Sequence, residues 1–216
     1  MSVALETASL EQKLSDGLAT LNIVLPKDAQ LQLIAYVRLI EKWNNVHNLT
    51  AVRELDKMIT LHVLDSLTVL PFVAGKNNLL DVGSGAGLPG IPLAIARPDL
   101  RVTMLDSNHK KTAFMTQAKT ELGLTNCEVI NERVELWQTV KKFDAIISRA
   151  YSDLSEFVDQ AGHLLGRDGQ MLAMKGVYPH EEILKLSPSF QVEKVAELHV
   201  PELDAKRHLV VLKQNA

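Results

Sequence analysis

The stretch DVGSGAGLPG, residues 81–90, follows the apolar pair Leu79-Leu80 and runs into IPLAIA. That order reads as a strand, a glycine-rich turn and a helix. Glycine permits positive φ and close approach of the backbone to a ligand, and free N–H groups face outward where the helix begins. Gly85, Gly87 and Gly90 satisfy the dinucleotide spacing G-x-G-x-x-G, a weak match by itself. A tight turn with no ligand satisfies it as well. Two features argue against a pyrophosphate. Pro89 and Pro92 fall in the first turn of the helix, where proline is tolerated but offers no N–H. Asp81 is expected to place a carboxylate near the mouth of the turn, which suits a ligand with an ammonium group better than one with two phosphates.

Asp106 ends the run RVTMLD, 19 residues after Gly87. An acid at that place can accept hydrogen bonds from both hydroxyls of a ribose; its bland alternative is an N-cap for the helix HKKTAF. Turn and acid together suggest a nucleoside without phosphates, bound at the carboxyl ends of the strands. S-adenosylmethionine has an adenine, a ribose and an amino-acid tail, and no phosphate.

Outward from the turn, short apolar runs alternate with helical stretches. The runs are LLDVG, RVTMLDS, CEVIN, FDAIISRA and GQMLAMKG; between them lie GIPLAIARPDL, HKKTAFMTQAKTELG, RVELWQTVKK and SDLSEFVDQAGHLLG. This alternation predicts a parallel sheet covered on both faces. FQVEKVAELHV and RHLVVLK follow with no helix between them, which predicts an antiparallel addition. Before residue 78 the chain reads as helical. PKDAQLQLIAYVRLIEKWNNV has Leu33, Val37 and Ile40 at helical spacing, and DKMITLHVLDSLTVLPFV repeats the pattern to a stop at Pro71. The expected division is therefore a helical region, 1–77, packed on a core, 78–216.

Composition narrows the class. A chain of 216 residues with 46% hydrophobic residues can bury a sizeable core. One cysteine allows no internal disulfide. The opening MSVALETASLEQKL lacks the apolar run of a secretory signal, and no stretch approaches the ~20 apolar residues of a membrane span. A cytoplasmic protein without membrane contact is expected. The net charge of −3 is not that of a general nucleic-acid binder, yet a local basic patch can act within an acidic whole.

The words KWNNVHNLTAV, HVLDSL, LLDVGSGAGLPGIPLAI, LDSNHKK, RVE, FDAIISRA, MKG and RHLVVLK span roughly residues 30–213. Through them the chain resembles the ribosomal RNA small subunit methyltransferase G family, also called glucose-inhibited division protein B, among class I methyltransferases. The resemblance implies an α/β, Rossmann-like fold: a mostly parallel seven-stranded sheet, helices on both faces and an N-terminal helical extension. It implies methyl transfer from S-adenosylmethionine to N7 of a guanine in 16S rRNA, with the small ribosomal subunit or its precursor as partner; a monomer is expected. It implies donor contacts from Gly83, Leu88, Val134, Glu135 and Arg149. With the turn and the acid, the donor set becomes Asp81, Gly83, Ser84, Gly85, Leu88, Asp106, Val134, Glu135 and Arg149. One departure is Glu132 before Arg133, where the family more often has a small or polar residue.

Guanine N7 has a free lone pair and no proton, so it can attack the methyl group directly and needs no general base. Holding N7 in line with the methyl carbon is the enzyme's task. No N-P-P-Y word and no cysteine placed for attack on a pyrimidine are present; Cys127 opens CEVIN and reads as a buried strand residue. No catalytic group is therefore assigned. Arg149 and Lys175 are supporting candidates, Arg149 in a binding role, because a guanidinium fixed beside a ring that gains positive charge would be unhelpful. Arg53, Lys110, Lys111, Arg133, Lys175 and Arg207 could form a basic rim contacting RNA phosphates, with Asn48 a further RNA-binding candidate; each base singly reads as a surface charge, and Lys175, ending a core strand, is preferred. Asn48 reads equally as a turn cap. His62 and Asp65 lie one turn apart with no further ligand evident, so a hydrogen-bonded structural pair is expected rather than a metal site. Trp43 reads as core. Rival readings are a methyltransferase acting on another substrate, a nicotinamide-dependent oxidoreductase, and a noncatalytic RNA or ribosome-assembly factor.

Overall fold

The computed structural model describes residues 3–149, 151 and 153–215. Ala150 of the FDAIISRA run and Ser152, expected to open the next helix, lie outside these residues, as do Met1, Ser2 and Ala216. The N-terminal helices are α1 (Val3–Thr20) and α2 (Lys27–Asn44). The third helix combines α3 (Leu55–Met58), a π-helical stretch Ile59–Leu64 and α4 (Asp65–Leu67). Pro71 does not end it: a separate 3-10 turn, Leu70–Val73, contains that proline near its start, where its missing N–H costs nothing.

The five apolar runs and the two final segments all form strands: β1 (Asn78–Val82), β2 (Arg101–Leu105), β3 (Cys127–Ile130), β4 (Phe143–Ser148), β5 (Leu165–Lys175), β6 (Phe190–Glu197) and β7 (His208–Gln214). They make one sheet in the order β3-β2-β1-β4-β5-β7-β6. Pairings among β1 to β5 are parallel, and β7 runs antiparallel between β5 and β6. Chain direction across the sheet reverses between β1 and β4, which opens a crevice at the carboxyl ends of the strands. The expected fold class is the observed one.

The crossovers are α5 (Gly90–Ala96), α6 (His109–Glu121) and α7 (Leu154–Ala161), with a short α8 (His180–Leu184) that the sequence reading did not anticipate. One expected helix is absent. Residues 133–142 form a single turn, in which Leu136 and Trp137 donate to the Arg133 carbonyl. The apolar residues there divide between two faces. Val134 is buried and Trp137 packs against Phe143 at 6.1 Å, whereas Leu136 and Val140 stand exposed. Only the first turn therefore packs on the core, and a segment this short does not hold a helix without such burial along its length.

Alternation along β1 divides the core in two. Leu79 faces the side covered by Leu33, Val37 and Ile40 of α2 and by Met58 and Ile59. Leu80 faces the other side, with Leu105, Ile146 and Phe157. Each fully buried aliphatic side chain on either face contributes about 1.5–3 kcal/mol. The N-terminal helices thus share one core with a face of the sheet. Cys127 is buried and free, its thiol pushed up to about 12 by burial. Trp43 packs on the same core, its ring edge-on to Phe114 at 5.5 Å.

Candidate active site

The glycine turn begins where β1 ends. Gly83, Gly85 and Gly87 take φ of 69°, 59° and 82°, the left-handed region that suits glycine. At Gly90 the demand is for space: an added Cβ would lie 2.8 Å from both Asp81 Oδ2 and Met104 Cγ. The turn is held from three sides. Asp81 Oδ2 accepts from the Gly90 N–H at 2.9 Å, Asp106 Oδ2 accepts from the Gly85 N–H at 2.9 Å, and the Tyr36 hydroxyl donates to the Ala86 carbonyl at 2.5 Å. The last bond joins α2 to the turn across fifty positions of sequence.

Asp81 departs from its expected place. Strand alternation points it to the same face as Leu79, so its carboxylate lies fully buried behind the turn rather than at its mouth. Burial pushes its pKa up to about 7, opposed by the Gly90 N–H and the Ser84 side chain. Ser84 is buried, and its hydroxyl also donates to the Asp81 carbonyl. The Gly90 N–H at the start of α5 is therefore already taken by a carboxylate, a poor setting for a pyrophosphate. Asp106 does not cap the following helix; Asn108 does, its side chain accepting from the Lys110 N–H at 2.9 Å. Asp106 instead spans the Gly85 and Asn108 N–H groups, with Lys111 Nζ at 3.8 Å.

Three cavities run along this carboxyl edge. The first, about 320 Å³, is lined by Val82, Gly83, Asp106, Val134, Glu135 and Tyr151, with Arg133 at its margin. Arg133 is exposed and pairs with Glu135, its Nε at 2.6 Å. The second, about 190 Å³, shares Gly83 with the first and adds Ser84, Gly85, Leu88, Leu49, Thr50 and Arg149. The third, about 430 Å³, shares Arg149 with the second and is lined by His62, Asp65, Lys175, Arg207 and His208. A larger cavity of about 760 Å³ lies at the opposite edge, around the first residues of β1 to β4; ligands of open α/β sheets bind at the carboxyl edge instead.

Arg149 is the wall between the second and third cavities. Its Nη1 donates to the Leu61 carbonyl and to Asp65 Oδ2, both at 3.1 Å. Asp65 Oδ1 accepts from Arg207 Nε at 3.2 Å. One buried carboxylate thus orients two guanidinium groups. The π-helical stretch brings Leu61, His62 and Asp65 to a single cavity, as such bulges often do at functional sites. The expected His62–Asp65 pair does not form. Asp65 is taken by the arginines, and His62 Nε2 lies 2.9 Å from Thr50 Oγ1. Burial, with the Arg149 charge, lowers the His62 pKa to about 4 and keeps the ring neutral. Among the described residues no cluster of His, Cys, Asp and Glu could hold a metal ion.

The basic candidates separate into distinct settings. Lys175 is nearly buried, with Nζ at 2.6 Å from Glu182 and 3.1 Å from the Tyr151 carbonyl. It is a cavity-wall group paired within the protein, not a free rim charge. Arg53 donates to the Asn44 carbonyl at 2.8 Å and to Asn48 Oδ1 at 2.6 Å, so Asn48 braces its own loop. Lys110 is exposed on the first turn of α6. Tyr36, Thr50, His208 and Asn44 also shape the site and are not among the sequence candidates. Asn44 is buried and holds the loop through the Leu49 and Thr50 N–H groups and the Val52 carbonyl. The only signal for it was polarity at the end of an apolar helical stripe.

Among solved structures the chain is similar to the DhpI–SAH complex, with a TM-score of 0.56 at 15% identity, covering 87% of this chain and 97% of that one. It is similar also to the ribosomal protein L11 methylase of Lactobacillus delbrueckii subsp. bulgaricus, with a TM-score of 0.53 at 17% identity, covering 71% and 77%. These likenesses agree with the strand order in giving the fold of a class I methyltransferase. Sequence similarity is much closer. The family model for rRNA small subunit methyltransferase G (GidB) matches residues 29–210. Ribosomal RNA small subunit methyltransferase G of Nitrosospira multiformis is 54% identical over 94% of this chain and 96% of its own length. The protein of the same name from Laribacter hongkongensis is 56% identical over 94% and 98%. The chain belongs to the rRNA small subunit methyltransferase G family; it is a methyltransferase whose methyl donor is S-adenosylmethionine.

Proposed function

We propose that the chain transfers a methyl group from S-adenosylmethionine to N7 of one guanine in 16S rRNA, presented by the small subunit or its precursor. The observation that carries this reading is the meeting of two differently built cavities at Arg149. On one side are backbone N–H groups, carboxylates and apolar walls; on the other are arginine, lysine and histidine side chains around Asp65.

The donor-side residues fit the methyl donor. Asp106, already fixed by two N–H groups, keeps lone pairs for ribose hydroxyls, and Val82, Leu105 and Val134 offer apolar walls to adenine. Gly83, Ser84, Gly85 and Leu88 would hold the amino-acid tail in the second cavity, with Thr50 and Arg149 closing it. Asp81 acts from behind by fixing the turn. The donor, when bound, supplies a methyl group made electrophilic by a sulfonium. The acceptor nucleotide takes the third cavity, where Arg207 can meet a phosphate at partial exposure. N7 requires no deprotonation, so the protein contributes position and orientation. The reading includes a cytoplasmic monomer with residues 1–77 as a helical region on a 78–216 core. Among the described residues no helix is long and apolar enough to cross a membrane.

The test is transfer of labelled methyl to 16S rRNA and to small subunits from cells lacking this protein, with the product mapped by cleavage at N7-methylguanine. One labelled guanine is expected. Label on another atom, or none on either substrate despite tight donor binding, would overturn the assignment.

A further inference from the structure

The segment Gly176–Pro179 leaves the end of β5 at the third cavity and runs onto the surface. It exposes two large apolar side chains in succession, Val177 at 74% and Tyr178 at 42%. A lone exposed apolar residue is ordinary, but the Tyr178 ring is fixed in place. It lies 4.3 Å from the His180 ring and 5.7 Å from the His208 ring, nearly perpendicular to the latter at 82°. His208 is itself buried and anchored, with Nδ1 at 3.0 Å from the Gly176 carbonyl and its backbone paired to Lys175. His208 also lines the third cavity. The aromatic ring is therefore set by a rigid strand end, at the rim of the acceptor side.

Its surroundings carry both signs of charge: Glu181 is exposed on the first turn of α8 and Glu182 pairs with Lys175, while cations stand on the cavity side. Arg207 lines the same cavity, and its Nη1 lies 4.0 Å from where a Cβ on Gly176 would stand. The neighbouring Lys206 is exposed. A fixed, half-exposed ring on a segment beside a guanidinium, adjoining a nucleotide-sized cavity, is the arrangement by which proteins stack single-stranded bases. A protein partner would need a wider apolar face than two side chains provide.

We infer that Tyr178 is a stacking platform for a base of the RNA strand next to the acceptor nucleotide. This rests on the RNA reading above. It assigns the platform to the loop after β5, outside the donor turn and the Arg149 wall.

The experiment compares Tyr178→Ala, Tyr178→Phe and Tyr178→Trp with the parent enzyme, using labelled methyl transfer to unmethylated small subunits and calorimetry of donor binding. Tyr178→Ala is expected to raise KM for the subunit about tenfold, with kcat and donor affinity unchanged. Tyr178→Phe should match the parent. Emission of Tyr178→Trp, corrected for the native tryptophans, should be quenched by the RNA substrate. A parental KM in Tyr178→Ala, or an equal loss in Tyr178→Phe, would overturn the platform while leaving the RNA reading standing. A parent enzyme that methylates no RNA would overturn both.

Discussion

Replacing Tyr36 with Phe tests whether the N-terminal helices hold the donor turn. Tyr36 is fully buried, and phenylalanine keeps its ring against Phe114, 6.4 Å away. The only loss is the hydroxyl, which donates to the Ala86 carbonyl at 2.5 Å. Among the described residues no other bond to that carbonyl is seen, so the substitution leaves a buried acceptor unmet. Such an acceptor costs about 1–3 kcal/mol, which for a chain of this size lowers Tm by roughly 3–9 °C. Gly85 and Gly87 flank Ala86, so the loosened segment is the one that lines the second cavity. Urea denaturation with and without S-adenosylhomocysteine measures both effects. Donor affinity should fall by about three- to tenfold, a ΔΔG of roughly 0.7–1.4 kcal/mol. Unchanged stability and unchanged donor affinity in Tyr36→Phe would refute the idea that this bond carries the turn.

Asp65→Ala removes the shared counter-ion of Arg149 and Arg207. With both guanidinium groups about a quarter exposed, solvent screening reduces the cost to about 2 kcal/mol, and methyl transfer should fall at least tenfold; an active variant of parental stability would show that the arginines are held by other means. Asp81→Asn keeps an acceptor for Gly90 but no longer titrates. Because folding raises the Asp81 pKa to about 7, the parent binds an extra proton when folded and loses stability as pH rises between about 4 and 7, by up to ~1.4 kcal/mol per pH unit. The stability gap between variant and parent, measured by denaturation across that range, should therefore move in the variant's favour and level off above pH 8. Asp106→Ala should weaken donor binding by at least tenfold in calorimetry, since it frees the Gly85 N–H and deletes the proposed ribose acceptor together.

Elements that owe their form to local pattern were legible. Five strands read as short apolar runs, the last two as a pair with no helix between them, and α2 as an apolar stripe. RVELWQTVKK had helical composition but two apolar faces, and only packing against Phe143 and the first cavity decides which of them is used. The glycine turn was plain, and so was Asp106 as its partner strand's acid. What failed was side-chain direction and long-range pairing. Asp81 was sent behind the turn by strand parity, and His62 lost Asp65 to arginines at 149 and 207. Lys175 met Glu182 on a short helix that had no strong signal of its own. The π-helical stretch, which changes which residues of the third helix share a face, leaves no trace in a periodicity of 3.6.

The place of β7 has a consequence for synthesis. It follows β6 in the chain but lies inside the sheet, between β5 and β6. As the chain emerges from the ribosome, β6 has no neighbour to join until β7 arrives, and β5 stays an open edge for the same interval. Arg207 and His208 come with that late strand. A polypeptide arrested before residue 207 would hold the glycine turn and Asp106 and yet lack a wall of the third cavity. On the proposed function, the residues assigned to the donor are thus made before the last of those assigned to the acceptor.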